Sequence, residues 1–205
     1  GSIAIGFAFR DIAQNFLAGI LILLTQPFQV NDQIVVGDYE GTVEEIQTRA
    51  TILKTYDGRR VVIPNYDLFT DSVTVNTAFE SRRSEYDFGI SYDDDIDRAK
   101  EIIRNVMHNA EGVLENPAPD LRTVDLAGSS VNIRARWWTK PQRADVVSVS
   151  DRIITEVKKN LDQNGIDIPF PIRTVYFYNE SESQNGSSSA NARDGQTKSS
   201  QQTAA

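Results

Sequence analysis

The 205-residue chain contains no cysteine, one histidine and one methionine. Without cysteine there are no disulfides, thiolate nucleophiles or cysteine-ligated zinc, and a reducing compartment is compatible with that composition. With His108 as the only histidine, histidine-based metal cages and most acid–base dyads are excluded too. Basic charge is also short: 21 Lys and Arg stand against 29 Asp and Glu, a formal net charge of −8. Nucleic-acid binding draws on clustered lysine and arginine, so this balance argues against it. No glycine loop for phosphate and no nucleophile elbow is present. An enzyme reading has little to rest on, and no cofactor or metal is expected.

Apolar side chains run out near the end of the chain. From Asn179 onward only Ala190, Ala192, Ala204 and Ala205 interrupt a run of small polar residues. Such a segment cannot offset its ordering entropy by burial, and 179–205 is predicted to be disordered. A long uninterrupted apolar run is missing as well. The segment from Ile3 to Phe28 comes closest, but Arg10-Asp11 and Gln14-Asn15 divide it. Neither half reaches the ~20 residues of a spanning helix, although one helix over 3–24 would be about 33 Å long. No basic stretch precedes the apolar start and no cleavage site follows, so it is not a secretory signal. A chain that opens in the middle of a helical pattern reads as a piece of a longer one.

What this segment does contain is patterned. Pro27 closes it, since proline cannot continue a helix interior. In the second half Ile12, Phe16, Ile20 and Leu23 share one face, while Asp11, Gln14, Asn15 and Ala18 share the other. In the first half Ala4, Gly6 and Ala8 are small enough for helices to approach closely, and Ile3 and Phe7 lie four apart. The pattern alone does not separate a membrane-associated helix from a buried helix of a soluble domain.

Behind Pro27 the residues form short β-branched runs between turn signals. Strands are predicted at 33–37, 41–47, 51–56, 59–63 and 72–77, with a helical turn at 64–67. Asp57-Gly58 is predicted to be a two-residue type I′ hairpin turn. These strands suggest a small barrel or sandwich over 28–83. From Ser84 the predicted order is a strand (85–92), a helix (94–109), two strands (122–126 and 131–138), a helix (144–164) and a last strand (174–178). That β-α-β-β-α-β order is the ferredoxin-like α+β sandwich, a fold with many functions.

Five stretches, in order, resemble the small-conductance mechanosensitive channel (MscS) family. They are Gly-Phe-Ala-Phe-Arg-Asp-Ile-Ala-Gln-Asn-Phe-Leu-Ala-Gly-Ile (6–20), Gln-Pro-Phe-Gln-Val-Asn-Asp-Gln-Ile (26–34), Gly-Thr-Val-Glu-Glu-Ile (41–46), Thr-Tyr-Asp-Gly-Arg-Arg-Val-Val-Ile-Pro-Asn (55–65) and Ser-Tyr-Asp-Asp-Asp-Ile-Asp (91–97). The resemblance implies an α+β protein in four parts: a kinked pore-lining helix (1–27), an Sm-like β domain (28–83), a ferredoxin-like α/β domain (84–178) and the disordered tail (179–205). It implies a homoheptamer in a prokaryotic cell membrane, with the chain beyond about 28 in the cytoplasm and membrane lipids as neighbours. Tension would open it to release ions and small osmolytes on hypoosmotic shock. Ile3 and Phe7 would form the apolar gate, Ala4, Gly6 and Ala8 the helix-packing surface, and Arg10-Asp11 the bend. Gly19 matches a glycine of the second half-helix.

This chain departs from the family at two points. Asp11 stands where glycine is found near the bend, and Asn31-Asp32 stands for Gly-Asp; asparagine also tolerates a left-handed turn. The family's first two transmembrane helices are not in this sequence. The alternative is a soluble oligomeric scaffold whose N-terminal helix serves only oligomerisation.

Two further clusters are expected to be structural. Asp93, Asp94, Asp95 and Asp97 lack the glycine and the final glutamate of a calcium loop, and helix N-capping accounts for them. Trp137 and Trp138 are neighbours on a strand and must point to opposite faces, one into the core.

Overall fold

The computed structural model describes residues 2–176, and for residues 2–8 it describes the backbone alone. The tail expected to be disordered, 179–205, lies outside the described residues. Helix α1 (Ser2–Thr25) opens the chain. It ends where Gln26 turns to a positive φ of 48° and Pro27 supplies no amide hydrogen.

Five strands follow: β1 (Gln33–Val36), β2 (Tyr39–Ile46), β3 (Ala50–Thr55), β4 (Arg60–Pro64) and β5 (Thr74–Val75), with the short helix α2 (Asn65–Thr70) between the last two. The ladder is antiparallel throughout, in the order β4-β3-β2-β1-β5. β4 and β5 stand at the two ends of this hydrogen-bonded order. The strand expected over 72–77 shrinks to two residues, paired with Ile34 and Val35.

The core of this domain joins Phe28, Ile34, Val36, Val43, Leu53 and Ile63 of the β layer to Leu68 of α2. Ile22 of α1, fully buried, belongs to the same core. At 55–59 the structure corrects the expected type I′ turn. Only Gly58 has positive φ, at 85°, and the amide of Thr55 donates to the Arg59 carbonyl at 2.9 Å. The connection is a three-residue loop with glycine in the left-handed position, a geometry in which Asp57 needs no strained backbone. Asn31, with φ of 77°, does take the left-handed turn expected of it.

The second half comprises β6 (Arg82–Ile90), α3 (Ile96–Asn109), β7 (Asp120–Leu126), β8 (Val131–Thr139) and α4 (Arg143–Gln163). Its antiparallel sheet runs β6-β8-β7, the arrangement of a split β-α-β unit. Alternation along β8 sends Val131, Ile133, Ala135, Trp137 and Thr139 into the core, against Ala99, Ile103 and Met107 of α3 and Val149, Ile153, Val157 and Leu161 of α4. Trp137 is buried, and Trp138 lies on the opposite face with the Arg83 guanidinium over its ring.

The last strand expected, 174–178, is not found within the described residues. After α4, Asp167 is tied back to Ser91 and Asp94. Residues 173–205 separate as a unit of their own, of which 173–176 are described and hold no helix or strand.

Candidate functional site: the joint of the N-terminal helix and the β domain

Helix α1 packs on the β domain in the opposite sense from an ordinary amphipathic helix. The side turned inward carries Asn15, Ala18, Gly19 and Ile22, which fall at helical spacing. The side turned outward carries Ile12, Phe16, Ile20 and Leu23, each between 38% and 50% exposed. Phe9, Leu17 and Leu24 add further exposed apolar surface. The large apolar residues are thus left facing away, while small and polar ones make the internal contact.

That contact is built around Asn65, the first residue of α2 and fully buried. Its amide nitrogen donates to the Gln47 carbonyl at 2.8 Å, and its carbonyl oxygen accepts from the Thr51 hydroxyl at 2.9 Å. Its backbone amide donates to the Arg49 carbonyl at 3.0 Å. A buried amide satisfied on both sides fixes the β2–β3 connection against the start of α2.

Helix α2 has no cap of its own, because Pro64 occupies the N-cap position. Asn15 of α1 supplies the missing acceptor: the Tyr66 amide donates to its side-chain oxygen at 2.9 Å. One turn further along α1, a Cβ on Gly19 would lie 2.4 Å from the Thr48 carbonyl oxygen and 2.5 Å from the Asn65 amide nitrogen. No side chain fits there. Gly19 is small because backbone and a buried amide occupy its side of the helix.

The other residues singled out in the sequence lie nearer the chain start. The backbone of α1 runs helically through Ile3, Ala4, Gly6, Phe7 and Ala8, whose side chains lie outside the described residues. Arg10 and Asp11 are exposed, and the helix continues through them without interruption. Among the described residues no helix is long and apolar enough to cross a membrane.

The acidic cluster is a cap. The Asp95 carboxylate accepts from the amides of Asp97 and Arg98 at 2.8 and 3.1 Å, while Asp94 accepts from the Asp167 amide. Among the described residues no group of metal-ligating side chains forms. His108 is exposed in the last turn of α3, where a partial positive charge is favoured. Sequence reasoning missed Asn15, Asn65 and Tyr66 as partners. The signal that could have found them is Ala18 and Gly19, small residues three and four places after Asn15 on the same side of the helix.

The architecture is an N-terminal helix fused to a small antiparallel β domain, followed by a split β-α-β domain, and such a fold does not by itself fix a function. Two family descriptions match in order: "Mechanosensitive ion channel, beta-domain" over residues 11–76 and "Mechanosensitive ion channel MscS, C-terminal" over 84–168. The chain belongs to the MscS family of mechanosensitive ion channels.

An MscS family protein of Archaeoglobus fulgidus is 38% identical over 178 residues, covering 87% of this chain and 62% of that protein. The small-conductance mechanosensitive channel MscMJ of Methanocaldococcus jannaschii is 32% identical over 181 residues, 86% of this chain and 51% of its own length. The crystal structure of Helicobacter pylori MscS in its closed state superposes with a TM-score of 0.82 at 28% identity, covering 87% of this chain and 70% of that one. The chain spans between 51% and 62% of the length of the two relatives compared by sequence.

Proposed function

We propose that this chain is the pore-lining and cytoplasmic part of a channel subunit that membrane tension opens, releasing ions and small osmolytes on hypoosmotic shock. The observation that carries this reading is the outward apolar face of α1, Ile12, Phe16, Ile20 and Leu23, on a helix whose polar side is already engaged by the β domain. Large apolar side chains that face away from their own domain call for lipid or a neighbouring subunit.

In this reading seven copies surround a pore in the cell membrane, with residues beyond about 28 in the cytoplasm. Rings of Ile3 and Phe7 form a constriction too apolar to stay wet, which blocks ions without a plug. Tension favours the state of larger in-plane area, and Ala4, Gly6 and Ala8 provide the surface on which neighbouring helices slide. The packing of Ile22 and Gly19 limits where movement occurs. Asn15, Gly19 and Ile22 are held against the β domain, which favours a flexing point ahead of Asn15, at the exposed Arg10-Asp11 pair.

Two measurements on the complete gene product test this. Its mass in detergent should be that of a heptamer; a stable monomer contradicts the reading. Phe7→Ser should leak ions at rest, whereas a tight channel with an unchanged opening threshold removes Phe7 from the gate. A soluble scaffold would instead be recovered without detergent and would carry no current.

A further inference from the structure

The β domain and the α/β domain are joined covalently through residues 76–81, and no strand of one sheet pairs with a strand of the other. Among the described residues, both hydrogen bonds that cross between the two domains end on Arg143, the first residue of α4. Its backbone amide donates to the side-chain oxygen of Gln33 at 2.8 Å. Its guanidinium donates to the Glu40 carboxylate at 2.9 Å and lies 4.5 Å over the ring of Tyr56. The other Glu40 oxygen accepts from Asn76, on the linker side, at 3.3 Å. Three separate β-domain segments, the start of β1, the start of β2 and the tip of the β3–β4 loop, thus converge on one arginine.

A cleft of about 460 Å3 opens at this joint, lined by Gln33, Thr42, Tyr56, Arg143, Val147 and Ser148. Domains held by a large apolar interface move as one body, but domains held by a few polar contacts move relative to each other by default. The ion pair itself is open to solvent, with the Arg143 and Glu40 side chains 43% and 31% exposed. At that exposure mobile ions reach the pair, and the screening length falls from about 10 Å at 0.1 M salt to about 3 Å at 1 M.

We infer that Arg143 is the latch of a hinge between the two domains, and that ionic strength sets how often the latch is closed. Low salt favours the closed joint, in which Glu40 and Tyr56 hold the guanidinium. High salt screens the pair, leaves the ring contact and the Gln33 bond to hold alone, and opens the joint. Replacement by lysine keeps the charge but loses the planar surface that stacks on Tyr56. The inference rests on contacts within one chain and stands independently of the channel reading.

These 205 residues contain no cysteine, so once any cysteine elsewhere in the complete protein is replaced by serine, two introduced cysteines can be labelled without background. Nitroxide labels at Lys54→Cys in β3 and Asp151→Cys in α4 report the angle between the domains in the complete protein, diluted with unlabelled chains so that only intrachain distances are read. Raising KCl from 50 mM to 1 M should increase the open population about two- to fivefold, the range expected when a half-exposed ion pair is screened. Arg143→Gln should show the open distribution at both salt concentrations, and Glu40→Gln should do the same. Sucrose at equal osmolarity should leave the distribution where 50 mM KCl puts it. Identical distributions at low and high KCl, an equal response to sucrose, or a salt response retained in Glu40→Gln would each overturn the inference.

Discussion

The side-chain oxygen of Asn15, on α1, accepts the backbone amide of Tyr66, on α2, across 51 residues of sequence at 2.9 Å. A helix that begins with proline at its N-cap takes its cap from another helix. Removing the acceptor in Asn15→Ala should cost about 1 kcal/mol of unfolding free energy, in the usual range for a lost N-cap. Asn15→Asp retains an acceptor at a helix N-terminus and should stay close to the unsubstituted protein. Denaturant titration of both variants checks the pair of outcomes, and equal losses in the two would show that the contact does not act as a cap.

At Gly19 the prediction concerns space. The added methyl of Gly19→Ala meets a backbone carbonyl and a buried, hydrogen-bonded amide, and moving that amide would break its bonds to Gln47 and Thr51. Overpacking of this kind costs roughly 1–3 kcal/mol, more than the helix propensity gained from alanine. Thermal unfolding should show a net loss of stability; a gain would mean that α1 rides free of the β domain.

A third prediction follows from the outer face of the second sheet. Arg134 donates two hydrogen bonds to Asp87, at 2.7 and 2.8 Å. These bonds hold the Asp87 carboxyl below the usual carboxylate range; partial burial opposes them, and the charges of Arg134 and Arg136 add to them. A carboxyl with a lowered folded-state pKa binds its proton more readily when unfolded. Its stabilisation is therefore present above about pH 4, the ordinary aspartate value, and fades as the pH falls through the lowered one. Both side chains are more than 30% exposed, so the contribution is at most about 1 kcal/mol. Asp87→Asn should lower the unfolding temperature at pH 7, and the difference from the unsubstituted protein should shrink toward zero as the pH falls below the lowered folded-state value. A difference constant across that window would point to a packing effect.

Much of the fold is legible in local patterns. The spacing of Val149, Ile153, Val157 and Leu161 marks the buried face of α4, and Gly165, with φ of 72°, ends it as glycine after a helix should. Asp95 caps α3 because its carboxylate reaches the next amides, a purely local arrangement. The site is less legible, because its partners come from distant segments. Nothing near Asn65 announces that Gln47, Arg49 and Thr51 will surround it. Periodicity along α1 separates the two faces correctly, but it does not say which one turns inward. A stripe of Ile and Phe ordinarily marks the core side, and here Ala18, Gly19 and Ile22 take that place. The strand expected over 174–178 falls partly outside the described residues, and 174–176 hold no strand.

The inverted packing of α1 is where sequence, fold and function meet, since a helix that offers its apolar face outward is suited to a membrane or to other copies of itself. The most direct measurement is current across a patch of proteoliposome membrane containing the complete protein while suction is applied. The account predicts discrete conductance steps that appear as tension rises and close when it is released. Patches that contain the protein but pass no tension-dependent current up to membrane rupture would contradict it.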